Sequence, residues 1–397
     1  MSDQHWPWWP LLPLYPYGRR RTLVRELIPD QVWSFEQLQG IWYVAVPVRM
    51  TVLRLKQGLL AYAPIPPTAE VLAGLRSLEA RWGPLRTIVL PTASGLEHKV
   101  GLPALARAFA RAEVWVAPGQ WSFPVPLPSA WLGIPADRTR VLLEQGVPHG
   151  DELTWLGLGP LDLGLGSFAE VACLHRASGS LLITDALVAP GADPPEVFAL
   201  DPTPLLFHGR ERGDEPLEDT PERRRRGWQR LLLFAGFLRP AGLEIPPLGT
   251  VLGRALAPGC RGPRSHFGLF PFHWRAGWQE DLAPLLEGDD GEGLGVAPVL
   301  ERLVFPRSRE RLVAWIRELA SLPDLRWLVP AHYQAPLACP PERLQRLADG
   351  LEQRAWAPES GSWRTLAGID RTLVRLGVVP GRDQSIRSPG SASSESA

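Results

Sequence analysis

Cysteine is scarce in this chain. The three present in 397 residues, Cys173, Cys260 and Cys339, are scattered and odd in number. That leaves neither a disulfide framework nor a CxxC metal site, and it fits a reducing compartment. Net charge is missing as well. Lys and Arg total 42 against 42 Asp and Glu, which removes the global electrostatic case for nucleic acid or an anionic membrane. No apolar run approaches the roughly 20 residues that cross a bilayer. Met1 to Pro16 has no basic stretch ahead of an apolar core, so it is not a secretory signal, and a cytoplasmic protein is expected. Signatures of covalent catalysis and of dinucleotide binding are absent too. There is no GxSxG, and the glycines from Gly157 to Gly166 do not fit GxGxxG, so short strands with tight turns are expected there.

What is abundant is proline and tryptophan, 43 and 17 residues. In residues 1–20, His5-Trp6-Pro7-Trp8-Trp9-Pro10 and the Leu-Pro-Leu-Tyr-Pro-Tyr that follows cannot form a helix at that proline density. An extended arm that lays its Trp side chains on the body is expected, with peripheral membrane contact as the alternative. Residues 21–380 read as one α/β domain and residues 381–397 as a disordered Ser-rich tail. Within the domain, Arg49 to Leu55 and Leu59 to Ala63 form a strand pair. Thr68 starts a helix that Gly83-Pro84 stops, and the strand to Leu90 completes a βαβ unit. Val171 to Leu174 and Leu181 to Ile183, split by Ser178-Gly179, read as a hairpin that delivers Asp185 to a sheet end. Thr220-Pro221-Glu222 opens another helix. Its Arg223 to Arg226 follow Asp214, Glu215, Glu218 and Asp219, so they read as a solvated face and not as a nucleic-acid patch. The acidic turn Gly288 to Gly293 lacks the ligand spacing of a calcium loop. Helices are expected over 308–319, 342–351 and 363–376, with a strand at Trp327 to Val329 that ends near His332.

The chain is organised around Arg86 to Pro118. Ile88-Val89-Leu90 is a buried strand, Pro91 to Gly95 is loop chemistry, and helical spacing begins at Leu102 and runs through Leu105 and Phe109. Glu97 and His98 are therefore expected on the loop beyond a strand's carboxyl end, where layered α/β folds build sites.

Thr92-Ala93-Ser94-Gly95-Leu96-Glu97-His98 resembles a degenerate Thr-His-x-His-x-Asp-His signature of the metallo-β-lactamase superfamily. Leu181 to Asp185 resembles that superfamily's strand ending in Gly-Asp, and Leu328 to His332 its late strand ending in His. RTLVRELIPDQVWSFEQLQGIWYVAVPVRMTV, SGLEHKVGLPALARAF, APGQWSFPVPLP, FAEVACLHRASGSLLITDAL and WLVPAH more closely resemble an uncharacterised branch found in cyanobacteria and plant plastids. The resemblance implies an αββα four-layer sandwich with an insertion at about 190–300.

It also implies what the site has lost. Ala93, Gly95 and Gly166 or a neighbour stand where the first metal's histidines would be, and none offers a side-chain electron pair. Glu97, His98, Asp185 and His332 match the second position and make a candidate single site for Zn²⁺, Fe²⁺ or Mn²⁺. Without metal, the same four are expected to form a hydrogen-bonded polar cluster, with Lys99 available to take the charge of Glu97. The metal-free cluster is the expected state, and no catalytic residue is assigned. His175 matches no ligand position and reads as structural. Two functions follow: a non-hydrolytic protein that binds an unknown partner or small molecule through the retained pocket, or a mononuclear metal-dependent hydrolase of an ester, thioester or phosphoester.

Overall fold

The structure is a computed structural model that describes residues 14–16, 19–120, 127–164, 166–256, 263–354, 356 and 358–381. Most of the expected arm, the expected tail from 382 onward and Cys260 lie outside the described residues. In chain order the first elements are β1 (Leu14–Tyr15), β2 (Leu23–Ile28), β3 (Val32–Ile41), β4 (Val44–Leu55), β5 (Gly58–Tyr62), α1 (Ala69–Trp82), β6 (Leu85–Leu90), α2 (Leu96–Ala108), β7 (Glu113–Val116) and β8 (Thr139–Val141). These strands form one sheet in the order β1-β3-β4-β5-β6-β7-β8, with β2 also paired to β3. The β3, β4 and β5 pairings are antiparallel, and β5 through β8 run parallel, which requires helical crossovers such as α1 and α2.

The second sheet begins with β9 (Leu153–Asp162), β10 (Ser167–His175) and β11 (Ser180–Ile183). The intervening region contributes β12 (Leu187–Val188), α3 (Thr203–His208), α4 (Pro221–Phe237), β13 (Leu243–Glu244), α5 (Leu248–Ala255), β14 (His273–Trp274), α6 (Ala283–Glu287), β15 (Gly295–Val296) and α7 (Pro298–Leu303). The chain then forms α8 (Arg309–Ala320), β16 (Trp327–Pro330), β17 (Leu337–Ala338), α9 (Pro341–Gln353) and α10 (Arg364–Arg375). The second sheet's order is β17-β16-β11-β10-β9. Gly157 to Asp162 therefore belong to one ten-residue strand, where short strands with tight turns were expected. Burial of Leu158 and Leu161 against the helices of this sheet overrides the local glycine and proline signals.

The period-two alternation of the strands sets the layers. Val89 of β6 and Leu60 of β5 face Val171, Cys173, Leu182 and Val329 of the other sheet, which forms a dry core between the sheets. Ile88 and Leu90 point the other way, onto Val71 and Leu75 of α1 and Leu102 and Leu105 of α2. Likewise Ala172 and Leu174 of β10 point out toward Leu312 and Ile316 of α8 and Leu344 and Leu347 of α9. Helices, sheet, sheet, helices is the expected αββα sandwich.

Helix boundaries follow the caps. Thr68 accepts from Val71 N, and Gly83 ends α1 at φ 93°. Thr220 accepts from Arg223 N at the start of α4. Arg223, Arg224, Arg225 and Arg226 each pair with an acid: Glu218, Asp219, Asp193 and Glu211. A fourth buried cluster gathers α3, α4 and Trp274 and Trp278 around Tyr43, Phe207 and Trp228. It covers the end of the sandwich on which the candidate residues lie.

Candidate functional site

The candidate residues come together at the carboxyl ends of three strands. β6 leads into the loop of Thr92 and Ser94, β11 ends two residues before Asp185, and β16 ends two residues before His332. Glu97 and His98 arrive differently from expectation. They lie in the first turn of α2, which starts at Leu96, six residues earlier than the apolar spacing suggested. Pro103 lies inside this helix and mimics an N-terminal signal. Packing keeps the helix whole. At Gly101 an added Cβ would come within 2.5 Å of the Ile65 carbonyl carbon, so only glycine lets α2 seat this closely. The early start also places the Glu97 carboxylate where the helix dipole favours it.

Both imidazoles are oriented from behind. His98 Nδ1 lies 3.2 Å from Pro64 O and His332 Nδ1 lies 2.9 Å from Pro47 O. A carbonyl only accepts, so each Nδ1 carries a proton and each Nε2 faces the site. Glu97, His98 and His332 each offer a ligand atom, and the three atoms lie within 4.8 Å of one another. His332 Nε2 stands 3.4 Å from Glu97 Oε1 and 3.3 Å from Asp185 Oδ1. His98 is fully buried, and among the described residues its Nε2 has no hydrogen-bond partner. The four-membered network expected for a metal-free site is therefore incomplete. Glu97, His332 and Asp185 are joined, and His98 is left out because its helical position points Nε2 at the cluster without a proton to share.

The electrostatics follow. Burial opposes a charge on His332, but hydrogen bonds to Asp185 and Glu97 and their negative charge outweigh it and raise its pKa to about 10. Burial likewise opposes ionisation of Glu97 and Asp185, yet their hydrogen bonds to His332 prevail and hold both carboxyls below their ordinary range. For His98 burial wins, and its pKa is lowered. The cluster thus holds two carboxylates, one imidazolium and one neutral imidazole.

Asp185 is further tied by Thr92 Oγ1 at 2.9 Å and Ser94 Oγ at 3.1 Å, both donating to Oδ2. A Cβ at Gly95 would lie 2.9 Å from Thr92 Cγ2 and 3.4 Å from Asp185 Oδ2. Lys99 does not serve Glu97. Its Nζ donates to the carbonyls of Ala93, at 2.8 Å, and Gln120, and so pins the loop from the far side.

Two positioning residues were missed in the sequence. Glu170, fully buried on β10, accepts from the backbone N–H groups of Thr184, Asp185 and Ala186 at 2.7, 2.9 and 2.8 Å and shapes the turn that presents Asp185. Burial, with the nearby Asp185 charge, pushes its pKa up to about 7. Arg49 of β4 donates to Pro330 O and, at 2.6 Å, to Tyr333 O, which brackets His332. Nothing in local sequence marks either, since both act across strands. His175 bonds Ser178 Oγ through Nδ1 at 2.8 Å, outside the cluster.

The cluster opens onto a cleft of about 610 Å³. Glu97, Asp185 and His332 line one end, and its walls come largely from α4, α6 and residues 295–301, which lie mostly in the expected insertion.

A sequence profile described as "Domain of unknown function (DUF4336)" matches residues 29–349. The chain belongs to that family. No curated protein matches this DUF4336 member. Among solved structures it is similar to a metallo-β-lactamase from Pontibacter korlensis, at 10% identity over 84% of this chain and 100% of that one, with a TM-score of 0.39. It is also similar to FIM-1 from Pseudomonas aeruginosa in its mono-zinc form, at 10% identity over 84% and 95% with a TM-score of 0.36. A third similar structure is a metallo-β-lactamase from Erythrobacter litoralis with β-mercaptoethanol in its active site, at 11% identity over 84% and 97% with a TM-score of 0.38.

Proposed function

We propose that this protein binds a small molecule in the cleft, against a single divalent ion held by Glu97, His98 and His332. One observation carries the reading: the buried, unpartnered Nε2 of His98, aimed at the same point as His332 Nε2 and the Glu97 carboxylate. A buried polar atom without a partner costs about 1–3 kcal/mol, and a metal ion removes that cost. Two imidazoles and a carboxylate suit Zn²⁺, Fe²⁺ or Mn²⁺. The charges agree. A 2+ ion in place of the His332 proton leaves Glu97 and Asp185 neutralised, where the proton alone leaves one negative charge over. When bound, such an ion polarises a carbonyl oxygen and acidifies water. The chain's own residues do the rest. Pro47 and Pro64 carbonyls hold the imidazoles, and Thr92 and Ser94 hold Asp185.

Hydrolysis of an ester or thioester is the second reading. It is favoured by Asp185, a carboxylate that lines the cleft 3.3 Å from His332 Nε2.

The test is metal content per chain, by elemental analysis of protein purified without an affinity tag, for wild type, His98→Ala and His332→Ala. One ion per wild-type chain, lost in both variants, supports the reading. A wild type that stays metal-free after incubation with Zn²⁺, Fe²⁺ and Mn²⁺ refutes it.

A further inference from the structure

We propose that the cleft selects an amphiphile whose polar end is neutral or cationic and rejects anionic ones. This rests on the reading of the cleft as a ligand site. Its lining contains seven carboxylates, on Glu97, Asp185, Glu280, Asp281, Glu287, Asp289 and Glu301. Against them stand only Arg354 and His332. Arg354 is already committed, at 2.7 Å to Asp289 Oδ1 and 2.7 Å to Glu301 Oε2. His332 Nε2 lies 3.4 Å from Glu97 Oε1 and 3.3 Å from Asp185 Oδ1. Glu280, Asp281 and Glu287 also line the cleft, and among the described residues no arginine or lysine of the lining pairs with them.

The lining is also apolar in part, with Leu232, Phe237, Leu285, Val299 and Trp363. An anion entering here meets like charge from Glu280, Asp281 and Glu287. A cation meets the reverse, and an alkyl portion gains about 0.8 kcal/mol for each CH₂ it buries.

The experiment is displacement of an uncharged fluorescent dye, Nile red, from the full-length protein. The competitors are decyltrimethylammonium, decanol and decyl sulfate below their aggregation concentrations. Neither charged head is a strong metal ligand, so coordination does not enter the comparison. The ammonium compound should bind at least tenfold more tightly than the sulfate, with decanol between. The triple variant Glu280→Gln, Asp281→Asn, Glu287→Gln should shrink that ratio below threefold. Equal or tighter binding of decyl sulfate, or an unchanged ratio in the triple variant, overturns the proposal. Metal content in the same preparations separates the two ideas. Discrimination without metal supports this inference and sinks the metal reading, and metal without discrimination does the opposite.

Discussion

Arg49→Met should weaken both the fold and the site. Arg49 and Glu36 are each only 1% exposed and pair through Arg49 Nε and Glu36 Oε1 at 3.1 Å. The same guanidinium holds the carbonyls of Pro330 and Tyr333, and Arg49 N donates to Ala331 O at 2.8 Å. Methionine keeps the volume and removes the charge. Breaking a buried pair from one side costs about 3–5 kcal/mol. Arg25 still contacts Glu36, and Ser34 Oγ still donates to it at 2.9 Å, which points to the lower end. Two stranded carbonyls add about 1 kcal/mol each. A total near 5 kcal/mol is large against the 5–15 kcal/mol of a whole domain. Urea unfolding followed by Trp fluorescence measures it. Arg81→Met is the control. Its pair with Asp30 is 61% and 51% exposed, so the loss should stay under about 1 kcal/mol. The turn at 330–333 also presents His332, and a lost supporting contact of that kind weakens metal affinity about 10- to 100-fold. A loss below about 1 kcal/mol in Arg49→Met, or an unchanged metal affinity, would refute the claim that Arg49 holds this turn. Glu36 gives the pH dependence of the pair. Burial resists its ionisation, Arg49 and Arg25 overcome that, and its pKa falls below the usual 4.5. The pair's stability is thus present above pH 4.5 and lost as pH falls below it.

Buried neutral histidines predict a second acid-sensitive range. Burial lowers His175 to about 4, and burial with the charge of Arg230 lowers His208 to about 3. Their contribution is full above pH 6.5 and declines below it, because the unfolded chain takes up protons that the folded one refuses. Each group costs roughly 1.4 kcal/mol per pH unit, so these two histidines together should contribute a loss of roughly 5 kcal/mol between pH 7 and pH 4.5. His175→Gln should remove about half of that slope in denaturant titrations across this range, and an unchanged slope would contradict it. Gly227→Ala tests the packing of α4 on α3. Its Cβ would fall 1.9 Å from Leu205 O, so α4 must move, at about 3 kcal/mol or more, read as a lower melting temperature. A melting temperature equal to wild type would show that this crossing is looser than described.

The strand pair, the hairpin to Asp185, the capped helix after Thr68 and the helices after residue 300 were legible because their signals are local: period-two alternation, caps and turn glycines. The start of α2 was not. Pro103 is a local breaker, and only the seat that Gly101 finds against Ile65 and Pro66 shows why the helix runs through it. Lys99 was misread for a related reason. Adjacency to Glu97 suggested an ion pair, but neighbours in a helix point about 100° apart, and the Lys99 ammonium turned to the Ala93 and Gln120 carbonyls.

The sequence by itself determined the identity of the candidate donors. Glu97, His98, Asp185 and His332 are present and the histidines at 93 and 95 are not, because donor chemistry is a property of residue type. Tertiary structure decided their arrangement. It left His98 Nε2 unpartnered, gave the second Asp185 oxygen to Thr92 and Ser94, and recruited Glu170 and Arg49 as supports. Bond direction and burial arise only when strands distant in sequence lie side by side. The cleft belongs to the same class, for its acids and apolar walls come from α4, α6 and residues 295–301 and meet nowhere in the linear chain.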